Sequence, residues 1–215
     1  ETNHSDFLSY LSKADFVFHL AGVNRPENPA EFQVGNVDLT QLIINVLTQS
    51  NLGIPIVLAS STQVDNDNDY GATKLSAERL VEIYSKTTGA PSYIYRLPNV
   101  FGKWAKPNYN SFIATFCYNI ISGDEIVIND PDASVRLVYI DDVCASFLEL
   151  LDGKTTSGFH KLPVEFNITV GQVANIISSF KSSRTTLITE RVGVELTRAL
   201  YSTYLSYTPP DQFNY

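Results

Sequence analysis

The sequence predicts an α/β fold, a doubly wound parallel sheet. Two observations carry that expectation. Short apolar runs of strand length recur at 15–21, 54–59 and 92–97, and segments with helical spacing of their apolar residues lie between them. Strands separated by helices at this spacing pair in parallel through right-handed crossovers.

The elements follow in order. Asp15 to Ala21 is an apolar run ending at Gly22 and reads as a buried strand. Glu31 to Ser50 places Phe32, Val34, Val37, Leu39, Leu42, Ile43, Val46 and Leu47 at mixed steps of three and four, the signature of an amphipathic helix. Ile54 to Ala59 is a second buried strand, entered through Gly53 and Pro55. Tyr70 to Lys86 is a helix with Leu75, Ala77, Leu80, Val81 and Tyr84 on its apolar side. Ser92 to Leu97 is a third strand, stopped by Pro98, which has no N–H to give a ladder. Ser111 to Ile121 is a helix closed by Gly123, and Glu125 to Ile128 and Arg136 to Ile140 read as short strands. Asp141 to Leu151 is a helix capped by Asp141 or Asp142 and followed by Gly153. Phe166 to Ile168 is a last strand, with a helix from about 170 to 180 after it. From Ser182 the periodicity weakens, and Tyr207-Thr208-Pro209-Pro210 reads as a linker.

Composition bounds the function. With 215 residues and 44% of them hydrophobic, the chain can bury a core in one domain or at most two. A net charge of −8 argues against broad binding to nucleic acid or anionic membrane, so an anionic substrate needs a local cluster of cations. No apolar run approaches the ~18 residues that span a bilayer. Cys117 and Cys144 have no metal-like spacing and sit among apolar neighbours, so both are expected as buried thiols of a reducing compartment. With no basic, apolar leader at the start, the expected location is cytoplasmic. The chain begins at Glu1 and contains no Met, which is expected of a piece of a longer polypeptide.

In a doubly wound sheet, ligands sit beyond the carboxyl ends of the strands. The second strand ends in Ser60-Ser61-Thr62, and nine residues after Ser61 comes Tyr70, then Lys74. An offset of four is one helical turn and stacks both side chains on one face. A free phenol titrates near ~10, and a neighbouring ammonium is expected to lower that value. A Ser61 hydroxyl, with Ser60 or Thr62 as substitutes, can hold the same substrate oxygen. Together these groups move a proton at a carbinol oxygen while hydride moves at its carbon.

The wider pattern resembles the extended short-chain dehydrogenase/reductases, the NAD-dependent epimerase/dehydratase family. The residues that carry the resemblance are His19-Leu20-Ala21-Gly22, Asn36-Val37, Ser60-Ser61, Tyr70 to Lys74, Arg96 to Gly102, and Arg136 to Val143. They occur in the family's order between residue 15 and about 180. The stretches Leu20 to Pro26, Phe101 to Trp104, Lys106 to Ser111 and Leu200 to Tyr207 are similar to one subgroup. These are the bifunctional capsular-polysaccharide enzymes that make a UDP-2-acetamido-2,6-dideoxy-L-hexose of the L-talose/L-fucose branch.

The resemblance implies a Rossmann-like fold lacking its first strand-turn-helix, because none of the eleven glycines forms the family's phosphate-binding loop. An incomplete NAD(P)-binding domain including the substrate-binding part is expected over 1–185, and a segment leading toward an absent cupin domain over 186–215. The implied reaction is NADPH-dependent reduction of the C4 ketone of a UDP-4-keto-6-deoxy-N-acetylhexose. The isolated chain is expected to bind cofactor poorly without that loop. Ser61, Tyr70 and Lys74 are the implied catalytic residues. Leu20, Ala21, Gly22, Ser60, Tyr70, Lys74, Leu97 and Pro98 are implied at the cofactor, NADP(H) with NAD as the alternative. Arg25, Asn99, Lys103, Trp104, Lys106 and Arg136 are implied at the UDP-sugar, where cations gather the pyrophosphate. A homodimer is implied; no metal and no nucleic-acid partner are expected in this chain.

Some residues have plainer readings. His19, in a buried strand, is expected as a satisfied core histidine. Asn36 either positions a backbone group or water at the site or faces solvent. The polar run Asp65 to Asp69 lacks the turn glycine and closing Glu of a calcium loop and reads as a solvated turn. Thr62-Gln63 stand where the family's dehydratases carry Asp-Glu, so dehydration is not expected. A 4-epimerase of the same fold, or a non-catalytic nucleotide-binding module, remains as the alternative.

Overall fold

The structure, a computed structural model, describes residues 4–186, 188 and 191–213. It divides into two compact units. One takes the chain up to Pro98 together with Ser146–Leu162, and the other takes Asn99–Ala145 and the chain from Pro163.

The first unit is a parallel sheet with helices against it. Strands β1 (Val17–His19), β2 (Ile56–Ser61), β3 (Ser92–Leu97) and β6 (Gly158–His160) pair in the order β1-β2-β3-β6, every pair parallel. Alternation along the strands splits the two faces. Ile56, Leu58 and Ile94 pack against Ile43, Ile44 and Leu47 of α3 (Leu39–Ser50) and Ala77, Val81 and Tyr84 of α4 (Asp69–Thr88). Leu11 of α1 (His4–Leu11) joins the same cluster. The Tyr84 hydroxyl, buried there, donates to the Ile54 carbonyl at 2.8 Å, so its polar end is satisfied. Rings occupy the other face, where Tyr95 lies 5.0 Å from Phe147 and 5.4 Å from His160.

The helical segment before α3 differs from its expectation in one respect. A short α2 (Ala30–Phe32) passes into a π-helical stretch, Gln33–Asp38, before α3 begins. A π turn inserts a residue and rotates the helix face. That rotation turns Asn36 inward, where it is 2% exposed.

The second unit has a three-stranded sheet. Strand β4 (Asn99–Phe101) pairs in parallel with β5 (Ser134–Tyr139), and β7 (Phe166–Thr169) pairs antiparallel on its other side. Helices α5 (Phe112–Ser122), α7 (Val170–Thr186) and α8 (Glu195–Leu205) bury Ile113, Phe116, Ile177 and Leu200 with Leu137 and Tyr139 of β5. Helix α6 (Ile140–Glu149) contributes residues to both units. The helix start expected at Asp141 or Asp142 falls at Ile140, with both aspartates in the first turn.

Several expectations are corrected. Glu125–Ile128 forms no strand; Ile126 and Ile128 lean on the core while Val127 is 80% exposed. The alternation is real, but among the described residues no partner strand lies beside it. Strands β4 and β6 and helix α1, each short, went unread. Pro98 does end β3, and the chain at once starts β4 in another sheet. Cys117 is buried, but Cys144 is exposed on α6. The weakly periodic tail carries α8, whose Ala199, Leu200 and Tyr204 are buried. Within that tail, residues 187, 189–190 and 214–215 lie outside the described residues. No helix among the described residues is long and apolar enough to cross a membrane.

Leu200 is fully buried in the core of the second unit. Leu200→Ala is expected to lower unfolding free energy by about 2–5 kcal/mol, as cavity-forming core truncations do. Denaturant unfolding checks this, and an unchanged midpoint would leave α8 as an appendage.

Candidate functional site

In the first unit, side chains from β1, β2, the π turn and α4 converge at the carboxyl ends of the strands. Strand β2 ends on Ser61, whose hydroxyl oxygen accepts the Gln63 N–H at 3.2 Å and so caps the tight turn Thr62–Asp65. The chain returns through the Asp65–Asp69 loop, and Asn68 caps α4 by accepting the Gly71 N–H at 2.8 Å. Gly71 then packs on the turn, where a Cβ would overlap the Gln63 carbonyl oxygen. This close approach delivers Tyr70 to β2. The phenol comes beside the Ser61 hydroxyl, and its ring packs 6.0 Å from that of Phe32.

Lys74 is 4% exposed, and its Nζ donates to the Ala59 carbonyl at 2.6 Å. Burial pulls the amine down to about 8, opposed by the nearby Glu78 carboxylate. The phenol behaves otherwise than the spacing predicts. Burial holds Tyr70 above the ordinary phenol value, and only the Ser61 hydrogen bond pulls it back. The ammonium is turned to the β2 backbone, and the resting phenol keeps its proton.

Asn36 resolves in favour of positioning. Its Oδ1 accepts the Val23 N–H at 2.8 Å, and its Nδ2 donates to the Val23 carbonyl at 3.0 Å and to Thr73 Oγ1 at 3.1 Å. One amide thus ties the loop after β1 to helix α4. Gly35 lets that loop approach, since a Cβ there would overlap the Val23 side chain. His19 is a satisfied core histidine. Thr40 gives its single proton to the Asn36 carbonyl at 2.5 Å, so the His19 Nε2, 2.8 Å from Thr40 Oγ1, is the donor of that pair. Burial, helped by the Lys74 charge, pushes the imidazole down to about 4.

The residues present here fit the nicotinamide end of a dinucleotide. Leu20, Ala21 and Gly22 are exposed just past the end of β1. A Cβ on Gly22 would stand 3.0 Å from Asn36 Oδ1 and 3.5 Å from Lys74 Nζ, so glycine leaves bare main chain beside the amine. That buried amine makes one hydrogen bond among the described residues and carries three N–H groups. Two remain for the oxygens of a ligand. Leu97 and Pro98 are half-buried at the end of β3. Ser60, expected at the cofactor, is 4% exposed and gives its hydroxyl to Glu78. Arg25 is exposed two residues beyond the anchored Val23.

In the second unit, the expected substrate residues lie on β4, β5 and the loop after β4. Asn99 donates through its side chain to the Arg136 carbonyl at 3.1 Å, which places the two residues side by side. Arg136 is exposed, and its guanidinium has no ion-pair partner among the described residues. Lys103 is paired with Asp141 at 2.9 Å and lies 5.5 Å from the Trp104 ring. Trp104 is 78% exposed and sits at φ 62°, a left-handed conformation that costs a non-glycine residue about 1–2 kcal/mol. Lys106 stands 5.7 Å from the Tyr109 ring. The missed residues of the two sites are Phe32, Gly35, Gly71 and Glu78. Glu78 alone had a visible signal, a second step of four along the helix from Tyr70 and Lys74.

Gly71→Ala is expected to destabilise the first unit by roughly 1–3 kcal/mol, because the new methyl meets backbone that cannot step aside. Thermal unfolding measures this. A wild-type melting temperature would show that the turn yields freely and does not fix Tyr70.

Comparison with known proteins identifies the family and the fold. The NAD dependent epimerase/dehydratase family matches residues 2–168. The UDP-2-acetamido-2,6-beta-L-arabino-hexul-4-ose reductase of Pseudomonas aeruginosa is 46% identical over 216 residues, covering 100% of this chain and 58% of that protein. The crystal structure of the capsular polysaccharide assembling protein CapF from Staphylococcus aureus superimposes with a TM-score of 0.90 at 42% identity, over 100% of this chain and 59% of that one. A UDP-glucuronic acid 4-epimerase from Bacillus cereus in complex with NAD shares the fold, with a TM-score of 0.78 at 18% identity over 95% of this chain and 77% of that one. The chain thus spans less than two thirds of the first two relatives. With a Rossmann-like parallel sheet and most of its length matched, it belongs to the NAD dependent epimerase/dehydratase family.

Proposed function

We propose that this chain carries the reducing centre of an enzyme acting on the C4 ketone of a UDP-linked 4-keto-6-deoxy-N-acetylhexose. The observation that carries the reading is the placement of Tyr70 beside Ser61 at the end of β2, with the Lys74 amine buried one helical turn on. It is supported by the 46% identity to a P. aeruginosa protein whose name is that of a UDP-hexulose reductase.

NADPH, with NADH as the alternative, supplies the hydride when bound. Leu20 to Gly22, Ser60, Tyr70, Lys74, Leu97 and Pro98 are the residues to hold it. The protein's own part is the proton. The Ser61 hydroxyl donates to the ketone oxygen and fixes it in line with Tyr70. As negative charge develops on that oxygen, the phenol gives up its proton to it, and the product is the alcohol. Lys74, buried, still largely charged near neutral pH and bonded to the Ala59 carbonyl through one of its three N–H groups, has a second to turn toward the phenolate left behind. A phenol that rests protonated suits this direction, since reduction consumes a proton at each turnover.

The diphosphate needs cations in an acidic protein. Arg136 is the strongest candidate, because its guanidinium is uncommitted and planar, made for two phosphate oxygens. Lys103 is weaker because Asp141 already balances it. Trp104 offers an open aromatic surface to the uracil or sugar, with Asn99, Lys106 and Arg25 as further polar contacts. The same reading makes the whole protein a cytoplasmic homodimer with a covalently linked cupin domain. The relatives run well beyond the part matched by this chain, which is length enough for such a domain.

In the full-length protein, Tyr70→Phe is expected to lower ketone-dependent NADPH oxidation by on the order of a thousandfold, with nucleotide-sugar affinity retained in calorimetry. Unchanged turnover would remove the mechanism. Net consumption of NADPH with formation of a C4 alcohol separates a reductase from a 4-epimerase, which returns its hydride and consumes none. Arg136→Ala is expected to raise the KM for the UDP-sugar about tenfold, equivalent to ~1.4 kcal/mol of lost phosphate binding. A wild-type KM would return Arg136 to the solvated surface.

A further inference from the structure

One turn beyond Lys74 on the same helix lies Glu78, a carboxylate the proposed chemistry does not use. It is 1% exposed. Its Oε1 accepts the Ser60 hydroxyl at 2.5 Å. Arg96, at the end of β3, closes on it with Nη2 2.7 Å from Oε2 and Nε 3.0 Å from Oε1. The same guanidinium reaches Asp65 at 3.4 Å, in the turn between Ser61 and Gly71. A buried carboxylate is tolerated when it is paired and fully hydrogen-bonded, and this one is.

The place it grips matters. Ser60 stands between Ala59, whose carbonyl receives Lys74, and Ser61, which meets Tyr70. A single carboxylate on α4 therefore holds the one residue of β2 that lies between the partners of both site residues of α4. We infer that Glu78, clamped by Arg96, is a positioning residue for the reaction: its bond to Ser60 fixes the end of β2 against α4, keeping Ser61 beside Tyr70 and the Ala59 carbonyl on Lys74. This rests on the proposed roles of Ser61, Tyr70 and Lys74.

The charge acts in the same sense. The titratable and charged groups around Lys74 are His19 from β1, Tyr70 and Glu78 from α4 and, behind Glu78, Arg96 from β3. His19 is neutral, so Glu78 is the group that opposes the loss of the amine's proton. Removing its charge moves Lys74 further down, so the ammonium is lost at lower pH.

Two variants of the full-length protein test the inference. Glu78→Gln keeps an acceptor for Ser60 and removes the charge. It is expected to lower kcat about tenfold with little change in KM, and to move the alkaline limb of the kcat profile about one pH unit downward. Ser60→Ala keeps the ion pair and breaks the grip. It is expected to lower kcat about fivefold with KM and the alkaline limb unchanged. Lysine 13C NMR, with Lys74 assigned through Lys74→Arg, reads the amine's titration without turnover, and its midpoint should fall in Glu78→Gln. If Glu78→Gln does not fold, Ser60→Ala decides alone. Wild-type kcat in folded Ser60→Ala, or an unmoved Lys74 midpoint in folded Glu78→Gln, overturns the inference. Should Tyr70→Phe be inactive while both variants match wild type, only this inference falls. Should Tyr70→Phe stay active, the proposed chemistry falls, and the Lys74 midpoint still decides what Glu78 does.

Discussion

A buried ammonium organises the first unit. Lys74 sits behind the end of a parallel sheet, where water does not reach to solvate it. Left alone there it would shed its proton or pull the helix outward. It stays because the Ala59 carbonyl is close and a carboxylate is one turn away. Each of those supports is fixed by something further out. Ala59 is held in register by Tyr95 of β3, and Glu78 is held by Arg96. The sheet, the helix and the ion pair are thus parts of one arrangement for keeping a partly charged amine beside bare glycine backbone.

The second unit handles charge the opposite way. Its candidate cations are on the surface, where each is solvated and interacts weakly with its neighbours. Lys103 and Asp141 form such a pair, and it confers little stability. What these groups offer is adaptability toward an anionic ligand, with Trp104 held in an unfavourable backbone conformation on an exposed loop. Deep, rigid polar groups are fitted to handling one proton at one atom. Exposed ones are fitted to gathering a flexible diphosphate.

The sequence made the first arrangement legible to the extent that it is local. Ser61, Tyr70 and Lys74 are found by a strand end and a one-turn step, and the structure brings Ser61 and Tyr70 together. The electrostatics of the pair were not legible. A one-turn step says that two side chains share a face, but not which neighbour the longer one prefers, and the strand backbone competes with the phenol for Lys74. Gly71 and Gly35 are equally silent in sequence, since their requirement comes from a carbonyl and a valine that meet them only after folding. Cys144 misled because apolar neighbours along the chain do not decide which side of a helix faces out. Helix α8 misled because its apolar residues alternate with hydroxyls such as Thr203, which hides among them by donating to the Ala199 carbonyl.

The polar groups buried around Lys74 form a chain with very little slack. His19 donates to Thr40, Thr40 to the Asn36 carbonyl, and the Asn36 amide binds both backbone groups of Val23 and the Thr73 hydroxyl. Thr73 in turn donates to the Tyr70 carbonyl at 3.0 Å. Among the described residues, the one buried side-chain polar atom left without a partner, Thr208 Oγ1, lies in the other unit. Networks satisfied in this way hold their members in one geometry, because any displacement leaves a buried group unpaired. The spare capacity is then confined to the Lys74 amine and the Tyr70 phenol, which face the exposed end of β1 and the end of β2. A site whose framework is saturated and whose two reactive groups are not is prepared to bind oxygens there, and to do so without rearranging anything behind them.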